Sequence, residues 1–275
     1  MPWCWPQAPS TITLDEVLQR EIGRDKSDLR NYRCTIGAHR GSSVVFQENT
    51  LVALAVADRD PAYAFIEFDV QYTIDKKIVV FHDRTLLRLF GSFRSVRSAT
   101  YNELLEATDG SIISFEKIMP MLHKPLNIEI KSCGDDEKDK ELADEVIAYL
   151  RAHNRLDQTL ISSISRAVVQ HVKETNPEVA TGEVFWLTSS TYLHFERLTA
   201  RLYKRFATSR ADYLMLHVAN LRNIELLLQL KPSDKTVAFW DFDDRMYLVH
   251  KDFGDRLWSS SVLSEMGRRL GYFLR

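Results

Sequence analysis

FIEFDVQYTIDKKIVVFHD, residues 65–83, is the stretch on which the reading of this chain turns. From Phe65 to Val70 it is apolar except for Glu67 and Asp69, and it reads as a buried strand. Side chains two apart on a strand point to the same face, so the two carboxylates converge on one spot. Like charges placed side by side in an apolar setting are costly unless a cation lies between them. A second apolar run, IVVF, then delivers His82 and Asp83. A carboxylate pair followed by a histidine is the material of a metal-assisted acid–base site.

Working upstream, CTIGAHRG (34–41) reads as a strand ending on His39, Arg40 and a glycine. ENTLVALAVADRD after it is an amphipathic helix, with Asn49 or Thr50 as its cap. Strand, helix, strand, with polar residues at each strand's C-terminal end, is a parallel βαβ unit. Downstream, TYNELLEAT and SFEKIMPMLHK read as helical, and PLNIEIKS as a strand carrying Glu129 and Lys131 two apart. The alternation continues through the helix 140–154, the strand TLISSIS, the helix SRAVVQHVKETNP, the strand ATGEVFWLT and the helix 193–209. It ends with the strand ADYLMLHV, the helix NLRNIELLLQLK, the strand TVAFWDFD, a helix over 245–253, the strand DRLWSSS and a helix from Val262. Eight strands from Cys34 onward, in a chain of this size, are the sequence of an α/β (β/α)8 TIM barrel. The stretch before Glu129 is longer than two units need, which predicts an insertion after the second strand, roughly 71–122, over the C-terminal face. Residues 1–33 form an N-terminal extension, with a short helix from Thr13 to Ile22 started by a Thr13–Glu16 capping box. The barrel domain is then 34–275.

The C-terminal ends of the strands are where such a barrel places its active site. This collects His39 and Arg40, Glu67 and Asp69, and Glu129 and Lys131, with His82 added from the insertion. Three carboxylates and waters suit a hard divalent ion, Mg²⁺ or Ca²⁺, whereas zinc would draw the histidines as ligands. Histidines left free of metal can serve as base and acid on opposite sides of a reaction centre. Arg40 and Lys131 can hold an anionic group, most naturally a phosphate. The combined chemistry is displacement at phosphorus.

Bulk properties narrow the field. A net charge of −2 over 275 residues, 27% of them charged, provides no electrostatic case for nucleic acid. No apolar run is long enough to span a bilayer. MPWCWPQAPS has neither the basic nor the apolar region of a secretory signal. Cys4, Cys34 and Cys133 lack metal-ligand spacing and read as reduced thiols in a cytoplasmic protein. Trp3 and Trp5 read as a tail packed on the body, with a membrane-surface or partner contact as the alternative. Arg197, Arg201, Lys204 and Arg205 form a basic helix face, solvated, with an anionic membrane as the minority reading. His123, His153, His171, His194 and His250 read as structural. His217 ends a strand, and the alternative for it is to face the mouth. Ser42 and Ser43 read as loop. Asp241 and Asp243 either contact a polyol or are solvated. Trp240 is either core or, the favoured reading, a wall against a sugar or glycerol moiety.

IGAHRG, ENT, EFDVQYT, VVFHD and NIEIK, in this order and at these short spacings, resemble the glycerophosphodiester phosphodiesterase family. The resemblance is dense over residues 34–131. It implies a TIM barrel, one divalent cation held by Glu67, Asp69 and Glu129, His39 and His82 as the acid/base pair, and Arg40 and Lys131 as phosphate contacts. It also implies hydrolysis of glycerophosphodiesters to glycerol 3-phosphate and an alcohol, in some members with attack first by the neighbouring glycerol hydroxyl to give a cyclic phosphate. The second half departs: Ile164 stands where the family usually has Phe. Asp241, Phe242 and Asp243 follow Trp240 where it has Thr-Val-Asn, and DRLWSSSVL replaces its closing Thr-Asp-x-Pro. These positions line the pocket for the alcohol. They motivate a second reading, a phosphodiesterase, lyase or phosphodiester-forming transferase acting on sugar phosphodiesters (agrocinopine-like) or lysophospholipids. A third, a non-catalytic phosphodiester sensor, has no need of both histidines.

Overall fold

The computed structural model describes residues 11–23, 29, 31–185, 204–205, 207–241 and 243–251. The Trp3/Trp5 tail, His194, Arg197, Arg201, the DRLWSSS stretch and the helix expected after it lie outside the described residues. In chain order the elements begin with β1 (Thr11–Thr13), α1 (Leu14–Ile22), β2 (Tyr32–His39), α2 (Leu51–Arg59), β3 (Phe65–Tyr72) and β4 (Ile78–Val80). There follow α3 (Leu87–Phe90), α4 (Tyr101–Ala107), β5 (Ile113–Ser114), α5 (Phe115–Ile118), β6 (Leu126–Ile130) and α6 (Asp136–Ala152). The second half holds β7 (Thr159–Ser163), α7 (Arg166–Thr175), β8 (Ala180–Phe185), β9 (Tyr213–His217), α8 (Ile224–Leu230), β10 (Thr236–Trp240) and β11 (Arg245–Lys251).

Strands β2, β3, β6, β7, β8, β9, β10 and β11 close into a barrel, each hydrogen-bonded to the next and β11 back to β2. Seven of the eight run parallel; β11 is antiparallel to both its neighbours. This corrects the expected helix over 245–253. The run MYLVH is buried on both faces: Met246 and Leu248 point into the barrel with Phe65, Tyr213 and Ala238, while Tyr247 and Val249 join the outer core. A short apolar run buried on two sides carries no period that separates strand from helix. SFEKIMPMLHK is also shorter than expected as a helix, since α5 gives way to a 3-10 turn at Met119–Met121, where Pro120 sits.

The barrel is filled rather than hollow. Gly37 on β2 faces Phe65 so closely that a Cβ there would lie 2.2 Å from the ring, so the absence of a side chain lets Phe65 plug the bottom. The extension is built into the wall. β1 pairs with β2 from Thr11↔Thr35 to Thr13↔Arg33. The expected Thr13–Glu16 capping box starts α1, which buries Leu14, Val17 and Leu18 in the same cluster as Cys34, Tyr247 and Val249. Beyond the barrel, β3 continues upward and β4 returns antiparallel beside it, so that the Phe81 N–H reaches the carbonyl of Asp69. The segment between β4 and β6 has its own small core of Val79, Phe81, Leu86, Val96, Ala99, Leu104 and Ile112.

Candidate active site

The strand register sets the site. His39 lies opposite Glu67 across β2 and β3, and Asp69 opposite Glu129 across β3 and β6. In each strand these residues continue the inward-facing series, so the carboxylates collect at the C-terminal mouth. One oxygen from each of Glu67, Asp69 and Glu129 lies within 4.8 Å of the others. His39, Glu67 and Asp69 are buried, while Glu129, Arg40, Lys131 and His82 keep partial exposure. The return of the chain along β4 brings His82 back to the level of Asp69.

Cations brace the carboxylates. Lys131 Nζ lies 2.8 Å from Glu129 Oε1 and 3.3 Å from Asp69 Oδ1. Arg40 Nε lies 3.4 Å from Asp69 Oδ2, and the Arg40 backbone N–H donates to Glu67 Oε2 at 2.9 Å. That bond depends on a left-handed backbone at Arg40 (φ 61°) and Gly41 (φ 80°). At Gly41 a Cβ would also strike the Ala53 carbonyl carbon at 2.7 Å. A non-glycine residue at positive φ is a cost that folds retain chiefly at functional sites.

The electrostatics follow from burial and neighbours. Burial, with Asp69 and Glu129 alongside, holds the Glu67 carboxyl well above the usual carboxylate range. For Asp69 burial acts in the same direction, but Lys131, His82 and Arg40 outweigh it and hold the group ionised. Burial and the Arg40 cation push His39 well below the ordinary imidazole value. Lys131 is held charged because Glu129 and Asp69 outweigh its own burial.

Four residues to which the sequence reading gave no part in the site complete the arrangement. Asn49 does not cap α2; Thr50 does. Asn49, at φ 58°, instead donates from Nδ2 to Asp69 Oδ2 at 2.8 Å and accepts the Asp69 backbone N–H. Asp83 Oδ1 meets His82 Nδ1 at 2.6 Å. Arg88 Nε donates to Asp83 Oδ2 at 2.6 Å, and the Arg88 guanidinium also grips Glu48. Glu48 in turn accepts from Arg40 Nη1 at 3.0 Å. A chain of charges thus runs His82–Asp83–Arg88–Glu48–Arg40–Asp69. Its sequence signal was the density of acids and bases in ENT and FHDRTLLR, but pairing across 40 residues has no local pattern.

Trp240 and His217 sit at the ends of neighbouring strands, paired in register. The Trp240 ring is buried, edge-on to His217 at 4.8 Å between centroids and 5.8 Å from His39. Asp241 is buried and caps the β10–β11 turn, accepting from the backbone N–H groups of Asp243 and Arg245. Ser43 also serves structure, donating to the carbonyls of His39 and Asp243. His123, His171 and His250 pair with Asp58, Asp144 and Thr35, and His153 with the Tyr149 carbonyl.

Residues 39–254 match the model of the glycerophosphoryl diester phosphodiesterase family. The chain belongs to that family. Lysophospholipase D GDPD3 of Homo sapiens is 30% identical over 76% of each chain. The putative glycerophosphodiester phosphodiesterase YhdW of Bacillus subtilis is 26% identical, over 73% of this chain and 87% of its own. Among solved structures, the Thermotoga maritima glycerophosphodiester phosphodiesterase superposes with a TM-score of 0.54 at 25% identity, covering 84% of this chain and 88% of its own. The fold is shared as well by an Oleispira antarctica phosphodiesterase solved with its product sn-glycerol-3-phosphate, at TM-score 0.57 and 21% identity, covering 85% and 88%.

The family's metal dependence fits the residues present. Glu67 Oε1 is buried and accepts no hydrogen bond from any described residue, a state that costs free energy unless a cation meets it. An all-oxygen donor set of three carboxylates is that of a hard divalent ion. No helix among the described residues is long and apolar enough to cross a membrane.

Proposed function

We propose that this chain is a divalent-cation-dependent phosphodiesterase that cleaves glycerophosphodiesters to glycerol 3-phosphate and an alcohol. The observation that carries this reading is the carboxylate triad, two of its members buried, with two histidines and two cations at one mouth. Glu67, Asp69 and Glu129 would hold the ion, Mg²⁺ or Ca²⁺. Bound there, such an ion neutralises charge on non-bridging phosphate oxygens. Arg40 and Lys131 hold the phosphate, and Trp240 forms a wall beside His39. With all three carboxylates ionised, as ion binding requires, the two cations leave one negative charge at the mouth. A divalent ion converts it to one positive charge, the complement of a single phosphodiester anion.

His39 and His82 carry the protons. One removes the proton of the attacking hydroxyl, whether of water or of the neighbouring glycerol carbon, and the other protonates the leaving alkoxide. Asp83 is ionised, held down to about 2 by its bonds to His82 and Arg88 against the opposing effect of burial. It can only accept, so His82 must carry its proton on Nδ1 and keep Nε2 for exchange with the substrate.

The test is direct. Purified protein is incubated with glycerophosphocholine, glycerophosphoethanolamine and glycerophosphoglycerol in the presence of Mg²⁺ or Ca²⁺, and glycerol 3-phosphate is measured. Release that EDTA and His39→Ala abolish supports the reading; no release from any of the three sinks it. A second substrate class, lysophospholipids, is favoured by the 30% identity with a lysophospholipase D and by the changed residue Ile164. Phosphorus NMR of products from both classes separates the two, and shows a cyclic or transferred phosphate by its own shift.

A further inference from the structure

Large apolar side chains left exposed are normally scattered. Here, of the nine such side chains among the described residues, six lie on connections that follow barrel strands at their C-terminal ends: Val44 (64% exposed), Val45 (71%), Ile74 (61%), Leu87 (43%), Phe93 (81%) and Ile164 (43%). They rim the mouth that holds the carboxylate triad. Two of these connections are tied to each other: Arg88, beside Leu87, grips Glu48 in the loop that carries Val44 and Val45. Phe93 sits at the tip of a small hairpin, closed by the Thr85↔Ser95 bridge and by bonds between Leu86 and Arg94 and between Val96 and Arg84.

Charge marks the same hairpin. From Arg84 to Asn102 there are four arginines and no acidic residue, in a chain whose net charge is −2. Arg88 and Arg97 are engaged within the protein, by Asp83 and by the Lys131 carbonyl. Arg84 and Arg94 are exposed, on either side of the exposed Leu87 and Phe93, with Arg94 Nη1 3.4 Å from Oε1 of the exposed Glu103. Apolar tips flanked by arginines suit the boundary between lipid headgroups and acyl chains, where the ring buries and the guanidinium reaches phosphates. A folded partner, or a second copy of this chain, seated on this rim would cover the mouth that the substrate must enter. A bilayer would instead present substrate to it.

We infer that the rim formed by Val44, Val45, Leu87 and Phe93, with Arg84 and Arg94, docks this protein on a bilayer carrying anionic phospholipid. Phosphodiester substrates embedded in that surface then enter the site without leaving it. The docking stands on the rim alone; the delivery of substrate rests on the phosphodiesterase reading.

The experiment uses the full chain with vesicles of phosphatidylcholine, with and without phosphatidylserine, read by co-sedimentation. Binding is expected to the phosphatidylserine vesicles, and to fall with added salt. Arg94→Gln is expected to weaken it about fivefold, the usual effect of one basic residue at an anionic surface. Phe93→Ser is expected to weaken it at least as much. Both variants should turn over water-soluble glycerophosphocholine at the parent rate. No vesicle binding alongside turnover of glycerophosphocholine overturns the docking and leaves the phosphodiesterase standing. Vesicle binding with no turnover of any phosphodiester supports the docking and sinks the catalytic reading. Binding that the two variants leave unchanged places the contact elsewhere and overturns this assignment. So does a dimer in light scattering that Phe93→Ser dissolves.

Discussion

At the scale of single residues, the site works by placing each titratable group against a partner of defined sign. The His82–Asp83 contact of 2.6 Å orients an imidazole that has no other hydrogen-bond partner among the described residues at Nδ1. His82→Ala is expected to lower kcat about 10²–10⁴-fold, the usual worth of a positioned acid or base. Asp83→Asn keeps the shape but loses the anion that stabilises a charged ring. It should lower kcat far more than it changes KM, and shift the pH–rate profile, which a purely structural role would leave in place. Asp241 offers a separate test. Burial, with Glu21, Asp243 and Asp244 nearby, pushes its carboxyl up to about 7 from 3.8. Below the lower value both folded and unfolded chains hold the proton. Between the two, only the unfolded chain loses it, so folding stability falls as pH rises through that window and levels off above it. The slope from this group is at most about 1.4 kcal/mol per pH unit. Asp241→Asn keeps the acceptor for Asp243 and Arg245 and removes the buried charge. Thermal melts across pH 4–8 should therefore be flatter in the variant, which should be the more stable form at the alkaline end; a parallel pair of curves would refute the assignment.

At the scale of elements, two pieces do what regular β/α units would otherwise do. β11 closes the barrel as the return arm of a hairpin, antiparallel to β10 and β2. α1, from the far end of the chain, covers the outside of that hairpin, and Glu21 accepts the Tyr247 hydroxyl at 2.6 Å. A strand with both faces apolar needs such a cover, because its outward residues would otherwise meet water. The extension is thus part of the barrel's core. Leu18, 1% exposed, lies in the middle of that contact. Leu18→Ala should cost about 2–5 kcal/mol of unfolding free energy in urea, as large-to-small changes in cores do. A cost typical of a surface residue, within about 0.5 kcal/mol, would show α1 to be an appendage.

At the scale of the whole molecule, the barrel's register brings like charges together and leaves the imbalance for a bound ion to correct. An ion that binds only the folded state raises the melting temperature, by an amount that grows with the logarithm of its concentration once that exceeds Kd. Mg²⁺ or Ca²⁺ is therefore expected to raise the melting temperature of the parent protein, EDTA to reverse this, and Glu67→Gln to abolish most of it while the barrel remains folded by circular dichroism. A melting temperature indifferent to both ions would count against the triad as a metal site, independently of any assay of turnover.

The alternation of strands and helices, the inward pairing of Glu67 with Asp69 and of Glu129 with Lys131, and the capping box at Thr13 were all legible in the sequence, because each is set by spacings of two to four residues. The family motifs added His39, Arg40 and His82 to one constellation. What only the tertiary structure decided lies at longer range. That Asn49 buttresses Asp69, that Arg88 joins Glu48 to Asp83, that Trp240 packs against His39 and His217, and that MYLVH closes the barrel as an antiparallel strand under α1 are all pairings between distant segments. A local pattern records which face of its own element a residue occupies. It does not record which distant element packs against that face, and that choice is made by closing the barrel.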